Sequence, residues 1–201
     1  MFDNSMGLSI YLSNKIQERD KIIFDSQIEN LFFIPSGPIP PNPAELVGSE
    51  KMLSLLSELK KEYDYIIIDS PPALGPVTIN TLSAANSVII PIQCEFYALE
   101  GLAQLLNTIK LVKQTTNRQL TIKGFLPTMY SMQTNLSKQV LADLVQHFDS
   151  KLFKIDNNSC IVVPRNIKLA ESPSFGKPIM TYDPTAAGSK AYTNLAQLII
   201  G

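Results

Sequence analysis

The residues with the clearest chemical potential follow an apolar run near the middle of the chain. Residues 65–69 read Tyr-Ile-Ile-Ile-Asp, and Ser70, Pro71 and Pro72 come directly after them. A continuous β-branched run is typical of a strand buried on both faces of a parallel sheet. Such a strand would deliver Asp69 to the sheet's carboxyl edge, where open α/β sheets bind their ligands. A carboxylate there can hold a Mg²⁺-bound water beside a nucleotide γ-phosphate. The alternative is a structural aspartate that caps the next turn or helix.

Strands and helices that alternate along the chain must position Asp69. Apolar runs predict strands over residues 30–35, 65–69, 87–92, 122–128, 160–164 and 178–182. Amphipathic stretches predict helices over residues 8–15, 49–62, 99–114, 135–148 and 189–200. We expect Ser49 to cap the second helix and Asn135 or Ser137 to cap the fourth. This alternation indicates an α/β fold with a mostly parallel sheet and helices on both faces. The proline-rich residues 36–43 form a connection too short to separate two cores, so residues 1–201 are predicted to form one domain.

The composition restricts the class of protein. Of the 201 residues, 45% are hydrophobic and 17% are charged, and the net charge is -1. This apolar fraction supports a real core, and the charge argues against a nucleic-acid binder driven by a basic tail. Cys94 and Cys160 are expected to be reduced, buried thiols of a cytoplasmic protein, and His147 alone cannot build a zinc site. No apolar run reaches the ~18 residues of a membrane span, and residues 1–5 do not resemble a signal peptide.

Five segments, in order along the chain, resemble the ParA/Soj partition ATPases, which are relatives of MinD. They are YDYIIIDSPPALG (63–75), TINTLSAANSVIIPIQCEFYALEGLAQLLNTI (78–109), TMYSMQTNLSKQV (128–140), PRNIKLAESPSFGKPIMTYDP (164–184) and GSKAYTNLAQLII (188–200). The resemblance extends from Tyr63 to the C-terminus. It implies a P-loop NTPase-like fold of the deviant Walker-A class.

The resemblance also implies roles for individual residues. Asp69 is similar to the catalytic Walker-B carboxylate, which holds Mg²⁺ through water. The residues similar to the switch II turn are Ser70, Pro71, Pro72 and Gly75. The residues similar to the adenine-side segment are Pro164, Arg165 and Asn166, for which an ordinary strand-ending turn is the alternative. The basic candidates for contact with DNA phosphates are Arg165, Lys168, Lys138 and Lys177, each of which could instead be a solvated surface charge.

An activity and partners follow from the same resemblance. An intact protein of this kind binds ATP and Mg²⁺, forms a homodimer on ATP binding and binds DNA non-specifically. A ParB-like partner triggers hydrolysis, and the protein acts in chromosome or plasmid partitioning, in the cytoplasm and on the nucleoid. In this family residues 93–97 lie near the dimer face.

Two further hypotheses stay open. Residues 7–12 and 34–46 resemble bacterial tyrosine kinases of capsule or exopolysaccharide assembly, but the end of this chain is not the tyrosine-rich tail that such kinases carry. The other hypothesis is a non-catalytic interaction module that docks a partner through residues 95–101 without nucleotide.

The deviant Walker-A loop of both families, KGGxGK(S/T), does not occur in the sequence. None of the nine glycines opens a glycine-rich loop that ends in Lys-Ser or Lys-Thr, and Gly176-Lys177 is followed by Pro178. Such a loop supplies N–H groups, a lysine and a Mg²⁺-binding hydroxyl to the phosphates. We therefore expect a first βα unit of about 60 to 80 residues to be missing through truncation, with natural loss as the alternative. Asp3 is not assigned to the acidic residue that follows the family's second strand. The chain alone is expected to bind ATP weakly or not at all.

Overall fold

The computed structural model describes residues 5–156 and 159–201. Residues 1–4, which include Asp3 and most of the segment compared with a signal peptide, lie outside the described residues, as do residues 157–158. The chain divides into two compact units, Met1–Ala85 and Asn86–Gly201. Each unit has its own strands, helices and buried core residues.

Within residues 5–85, the first unit combines a short antiparallel hairpin with four α-helices and the 3₁₀ helix Arg19–Ile22. The hairpin consists of β1 (Phe24–Ile28) and β2 (Leu31–Phe33), and the helices are α1 (Leu8–Leu12), α2 (Pro43–Val47), α3 (Glu50–Leu59) and α4 (Pro76–Ala84). The buried core of this unit comes mainly from α1 and α3 and consists of Tyr11, Leu12, Ile22, Met52, Leu55, Leu56 and Leu59. Apolar residues recur on one face of α3, as its sequence periodicity predicts, and this face is the buried one.

Local signals at helix starts act as the sequence predicts in this unit. Ser49 is the N-cap of α3, and its hydroxyl accepts the Met52 N–H at 3.3 Å. A capping hydroxyl satisfies one of the N–H groups that a helix start leaves without an intrahelical partner. The proline-rich connection is irregular as expected, and its last residue, Pro43, becomes the first residue of α2. Proline suits that position because its fixed φ is helical and its missing N–H costs no hydrogen bond.

Residues 65–69 do not form the predicted strand. No described strand pairs with them, and the isoleucine at position 67 is 92% exposed. Ile66 and Ile68 are partly buried against the core of the first unit, so the segment is covered on one side only. The prediction of a strand buried on both faces is therefore wrong for this structure. β-Branched residues favour a strand only where neighbouring strands supply the ladder hydrogen bonds and the packing.

The second unit contains the parallel pair that the sequence predicts. Strand β3 (Ser87–Gln93) pairs in parallel with β4 (Thr121–Thr128), and helix α5 (Ala98–Thr115) connects them. Parallel neighbours require such a crossover, and a helix usually provides it. The register aligns Ser87 with Thr121 and Gln93 with Thr128, so both strands present their carboxyl ends at the same edge.

The rest of the second unit is mostly helical. Its remaining described α-helices and strands are α6 (Asn135–Phe148), the antiparallel pair β5 (Lys154–Asp156) and β6 (Ser159–Cys160), α7 (Ile167–Glu171), α8 (Ile179–Tyr182) and α9 (Ala187–Ile200). Residues from β4, from the segment around β6 and from α9 share one buried cluster, formed by Leu126, Phe153, Ile161, Val163, Ala191 and Leu195.

Several predictions for the second unit need correction. Residues 178–182 are not a strand, because Ile179–Tyr182 is a helical turn in which the Tyr182 N–H donates to the Pro178 carbonyl at 2.9 Å. A short apolar run after a proline does not distinguish the two structures. The predicted strand 160–164 is only partly regular: β6 ends at Cys160, and the Val163 N–H donates to the Pro127 carbonyl at 2.8 Å.

The predicted caps of α6 are also wrong. Thr134 holds the N-cap position, without a side-chain capping bond, so neither Asn135 nor Ser137 caps the helix. Ser137 is buried, and its hydroxyl donates instead to the Cys94 carbonyl at 3.1 Å. This bond joins the start of α6 to the residue that follows β3.

Candidate functional site

The turn that follows Asp69 is the part of the first unit most relevant to chemistry. It contains Ser70, Pro71, Pro72 and Gly75, the residues expected to form a switch turn, and it leads into α4, of which Gly75 is the N-cap. The Gly75 N–H donates to the Ala73 carbonyl at 2.9 Å. The side chains from Pro71 to Leu74 are exposed. The turn is therefore held by backbone and side-chain hydrogen bonds and not by core packing.

A buried threonine that the sequence reasoning missed contacts this turn. Thr78 Oγ1 donates to the Ala73 carbonyl at 2.6 Å and lies 3.3 Å from the Pro71 carbonyl. Its only sequence signal is a threonine in the first turn of a helix that begins with Gly-Pro. Short polar side chains near helix starts commonly bond to adjacent backbone groups.

Asp69 lies at the rim of an apolar cleft in the first unit. The cleft has a volume of about 540 Å³ and is lined mainly by residues of β2, α3 and the segment 65–68, with Ser36 as a polar neighbour. Asp69 itself is exposed. The cleft is mostly hydrocarbon, and its lining side chains include one carboxylate, that of Asp69, and three hydroxyls, those of Ser36, Tyr63 and Tyr65.

This donor set does not fit a Mg²⁺-bound triphosphate. Within residues 5–156 and 159–201, no group of three or more His, Cys, Asp or Glu residues could hold a metal ion. Gly7 precedes α1, but a Cβ there would lie 2.4 Å from the Gly37 nitrogen and the Pro35 carbonyl oxygen. This glycine permits close backbone packing and is not part of a phosphate cradle. Asp69 could hold one metal-bound water, and the phosphate contacts would have to come from other residues.

The second unit brings three segments together at the carboxyl edge of β3 and β4. The Cys94 N–H donates to the Thr128 carbonyl at 2.9 Å, so the chain after β3 stays beside the end of β4. The Tyr130 N–H donates to the Val163 carbonyl at 3.2 Å, and the Arg165 N–H donates to the Tyr130 carbonyl at 2.8 Å. The predicted adenine-side segment therefore lies next to the end of the parallel pair.

The side chains of that segment already have protein partners. Arg165 Nη2 lies 2.6 Å from Glu95 Oε1, which ties the segment to the residues after β3. The Asn166 Oδ1 accepts the Lys168 N–H at 2.8 Å and caps α7, so its amide nitrogen is the group left to contact a base edge. Pro164 is half-buried and bridges to Tyr130. Glu95 was missed as the partner of Arg165, because the two lie 70 residues apart.

The four basic candidates occupy different places in the second unit. Lys168 lies on α7, and its ammonium contacts Glu171 Oε2 at 3.2 Å. That hydrogen bond raises the pKa of Lys168, so the side chain stays cationic at neutral pH. Lys138 is exposed on α6, and Lys177 is exposed in the turn before Pro178. The structure brings Arg165 and Lys168 into one short segment and shows no described contact that joins Lys138 or Lys177 to them.

An exposed aromatic pair follows the Glu95 position at the same edge. Phe96 and Tyr97 are 74% and 72% exposed, and their rings meet edge to face with centroids 5.0 Å apart. Two further exposed apolar side chains belong to the neighbouring segments, Met132 after β4 and Ile167 at the start of α7. Exposed aromatic and apolar groups that cluster at one edge are typical of an interaction surface.

The two cysteines and the histidine of the second unit lie in packed or helical surroundings. Cys94 and Cys160 are free cysteines, and Cys94 is fully buried. His147 Nδ1 bonds within its own helix, 2.8 Å from the Asp143 carbonyl. No described helix is both long enough and apolar enough to cross a bilayer.

Known proteins match the chain through both units. Residues 3–122 match the AAA domain family. The sporulation initiation inhibitor protein Soj of Bacillus subtilis is 44% identical over 187 residues, which cover 88% of this chain and 69% of that protein. The chromosome-partitioning ATPase Soj of Treponema pallidum is 39% identical over 201 residues, which cover 96% of this chain and 77% of that protein. A match of that coverage includes most of residues 7–46, so these relatives give no support to a separate kinase-like origin of that part.

Solved structures agree on the fold. The cell division ATPase MinD of Pyrococcus furiosus has a TM-score of 0.75 at 20% identity, and the match covers 98% of this chain and 76% of that one. Cobyrinic acid a,c-diamide synthase of Mycobacterium smegmatis, solved with ADP and magnesium, has a TM-score of 0.70 at 27% identity, and the match covers 97% of this chain and 71% of that one. The parallel pair with its helices and this likeness define an α/β protein of the P-loop NTPase class. The sequence relatives place it within that class: the chain belongs to the ParA/Soj family of partition ATPases.

Proposed function

We propose that this chain forms part of a ParA-type ATPase that acts in chromosome or plasmid partitioning. In the intact protein, ATP and Mg²⁺ bind between two subunits, and the ATP-bound homodimer binds DNA non-specifically. A ParB-like partner triggers hydrolysis, and the protein works in the cytoplasm on the nucleoid. The observation that carries the proposal is the identity of 44% with Bacillus subtilis Soj across 88% of this chain.

Each candidate site residue has a proposed role in the intact protein. In the intact protein, Asp69 would hold Mg²⁺ through water, and the turn from Ser70 to Gly75 would lie beside the γ-phosphate. Pro164, Arg165 and Asn166 contact the adenine, with the Asn166 amide nitrogen directed at a base edge. The positive charges proposed to meet DNA phosphates are those of Arg165, Lys168, Lys138 and Lys177. The exposure of these four side chains supports that role, because phosphate contacts supply most of non-specific DNA binding.

The gene itself provides the first test. The DNA immediately upstream of Met1 should encode a deviant Walker-A loop in frame, because the residues present offer Asp69 but no phosphate cradle. An upstream frame without such a loop would defeat the proposal that the whole protein is an ATPase. A ParB-type gene beside it would support the partitioning role.

A second candidate function is nucleotide-free docking of a partner through residues 95–101. The exposed Phe96 and Tyr97 favour it, together with the incomplete donor set around Asp69. Equilibrium binding of a fluorescent ATP analogue to this chain, with and without Mg²⁺, tests whether the residues present bind nucleotide, which this second candidate function excludes. We expect no micromolar, Mg²⁺-dependent binding. If such binding occurs, Asp69→Asn should weaken it and Asp64→Asn, at another exposed aspartate, should not.

A further inference from the structure

The backbone N–H groups of the turn between Asp69 and α4 are too few to fix its conformation by themselves. Pro71 and Pro72 have no N–H group, so two of its positions cannot donate a hydrogen bond. The side chains that follow them are exposed, and core packing does not fix the turn. The Gly75 N–H bond to the Ala73 carbonyl, at 2.9 Å, is a contact between residues only two apart. Such a tight turn is a weak constraint on the direction of the chain before it.

Helix α4 supplies the stronger constraint through one side chain. Thr78 is 6% exposed, and its hydroxyl oxygen is 2.6 Å from the Ala73 carbonyl and 3.3 Å from the Pro71 carbonyl. A hydroxyl carries a single proton, so the bond to Ala73 is the main one and Pro71 is a secondary acceptor. The Ala73 carbonyl thereby accepts from both Gly75 and Thr78. One buried group thus links the first and the middle residue of the exposed turn to a regular helix.

We propose that Thr78 is the positioning residue of the turn that carries Asp69. Its hydroxyl fixes the path of the backbone from Pro71 to Gly75, and with it the direction in which the chain leaves the Asp69 carboxylate. The identity of this turn as a γ-phosphate-sensing element rests on the proposed function. The hydrogen bonds from Thr78 to the turn do not rest on the proposed function, because they are present in the chain without nucleotide.

The same helix provides a matched control. Thr81 lies three residues further along α4, and its hydroxyl bonds only one helical turn back, to the Val77 carbonyl at 2.9 Å. Replacing either threonine by valine keeps the shape of the side chain and its β-branching, and removes one hydroxyl. Only Thr78→Val removes a bond to the turn. The Cys94 amide, which bonds to the Thr128 carbonyl at 2.9 Å in the second unit, serves as an internal reference.

Amide hydrogen exchange of the full chain, measured by NMR without nucleotide, tests whether the Thr78 hydroxyl holds the turn. Thr78→Val loses one hydrogen bond to the turn. Its Gly75 amide should therefore exchange about fivefold faster than the Gly75 amide of the wild type. Thr78→Ser retains the hydroxyl and should restore exchange to within about twofold of the wild type. Thr81→Val should leave the Gly75 amide unchanged, and the Cys94 amide should not respond in any variant.

Two results would overturn the proposal. One is an unchanged Gly75 exchange rate in Thr78→Val; the other is an equal increase in Thr81→Val, which would mean general loosening of α4. If Thr78→Val does not fold, Thr78→Ser is compared with Thr78→Ala, which differ in the hydroxyl. The proposed ATPase function is tested by the upstream sequence, so either inference can fail while the other stands.

Discussion

At the scale of single residues, the burial of Cys94 should make the free energy of unfolding depend on pH in the alkaline range. Burial raises the pKa of its thiol from 9.0 to about 11, because the thiolate loses its hydration. The folded state therefore favours the protonated form. The resulting stability is fully present below pH 9 and is lost as the pH rises from 9 to about 11. Denaturant unfolding across this pH range should show a decline of about 2 kcal/mol that Cys94→Ala lacks.

The control for this pH dependence is the second cysteine. Cys160 is less buried, although burial is also the main cause that raises its pKa. Cys160→Ala should therefore flatten the alkaline decline less than Cys94→Ala does. Equal slopes in the wild type and in Cys94→Ala would show that Cys94 does not cause the decline.

The ion pair between Arg165 and Glu95 should be weak enough to open for a ligand. Its side chains are 58% and 51% exposed, and water screens such pairs. A double-mutant cycle of Arg165→Gln and Glu95→Gln should give a coupling of about 0.2 to 1 kcal/mol in the free energy of unfolding, which falls as salt is added. The pair Lys168–Glu171, similarly exposed, is the matched control. A coupling above about 2 kcal/mol would mean that the pair is structural and that Arg165 is not available to nucleotide or DNA.

At the scale of elements, alanine substitutions at two glycines should change the free energy of unfolding in opposite directions. In β4 a Cβ at Gly124 would lie 2.7 Å from two ring atoms of the buried Phe153 and 3.0 Å from the Lys151 carbonyl oxygen. Gly124→Ala should therefore lower the free energy of unfolding by about 1 to 3 kcal/mol. In α5 a Cβ at Gly101 would meet nothing within 4 Å, so Gly101→Ala should raise stability by about 0.5 to 1 kcal/mol. Thermal and denaturant unfolding measure both, and a stabilising Gly124→Ala would contradict the close approach of Phe153.

Elements whose signals are local could be predicted, and those that depend on distant partners could not. β3, α5, β4 and α6 match their predicted ranges closely, because long periodic or β-branched segments lie between clear turn residues. The segment 65–69 has equally strong strand residues but no described strand beside it. Helix α4 was missed because its threonine, valine and isoleucine residues have low helix propensity.

The same distinction applies to the candidate site. The irregular turn after Asp69 could be predicted from its two prolines, but the strand that was expected to bring Asp69 to a sheet edge is absent from the structure. The contacts of Thr78 with the turn and of Glu95 with Arg165 depend on how separate segments meet. No periodicity or composition in a single sequence encodes such pairs. The family resemblance located the segments and did not identify the bonds between them.

At the scale of the whole molecule, the sequence relatives match both units, whereas paired strands occur in only part of the chain. The relatives match 88% and 96% of the sequence, so both units descend from the same kind of protein. Within the described residues the strands form three separate two-stranded sheets. Residues 65–69, which the sequence predicts to be a strand, therefore have no strand partner within the described residues.

This unpaired segment should control association of the whole molecule with itself. It combines β-branched residues with a 92% exposed isoleucine at position 67, and such exposed strand-like segments pair with other chains. Ile67→Lys places a charge in the middle of the segment and should lower concentration-dependent association, measured by light scattering or sedimentation, by several-fold. The unfolding free energy should change by less than about 0.5 kcal/mol, because the side chain has almost no packing to lose.

Ile39→Lys is the matched control for that prediction. Ile39 is also 92% exposed, but it lies in the proline-rich connection, where proline prevents strand pairing. Both variants replace an isoleucine with a lysine, so they change the net charge and the composition in the same way. A general effect of charge on solubility would therefore act on both equally. If Ile39→Lys lowers association as much as Ile67→Lys does, the cause is net charge and not the unpaired backbone of residues 65–69. If only Ile67→Lys acts, association proceeds through that backbone, and any partner that pairs with it should protect the amides of residues 65–69 from exchange.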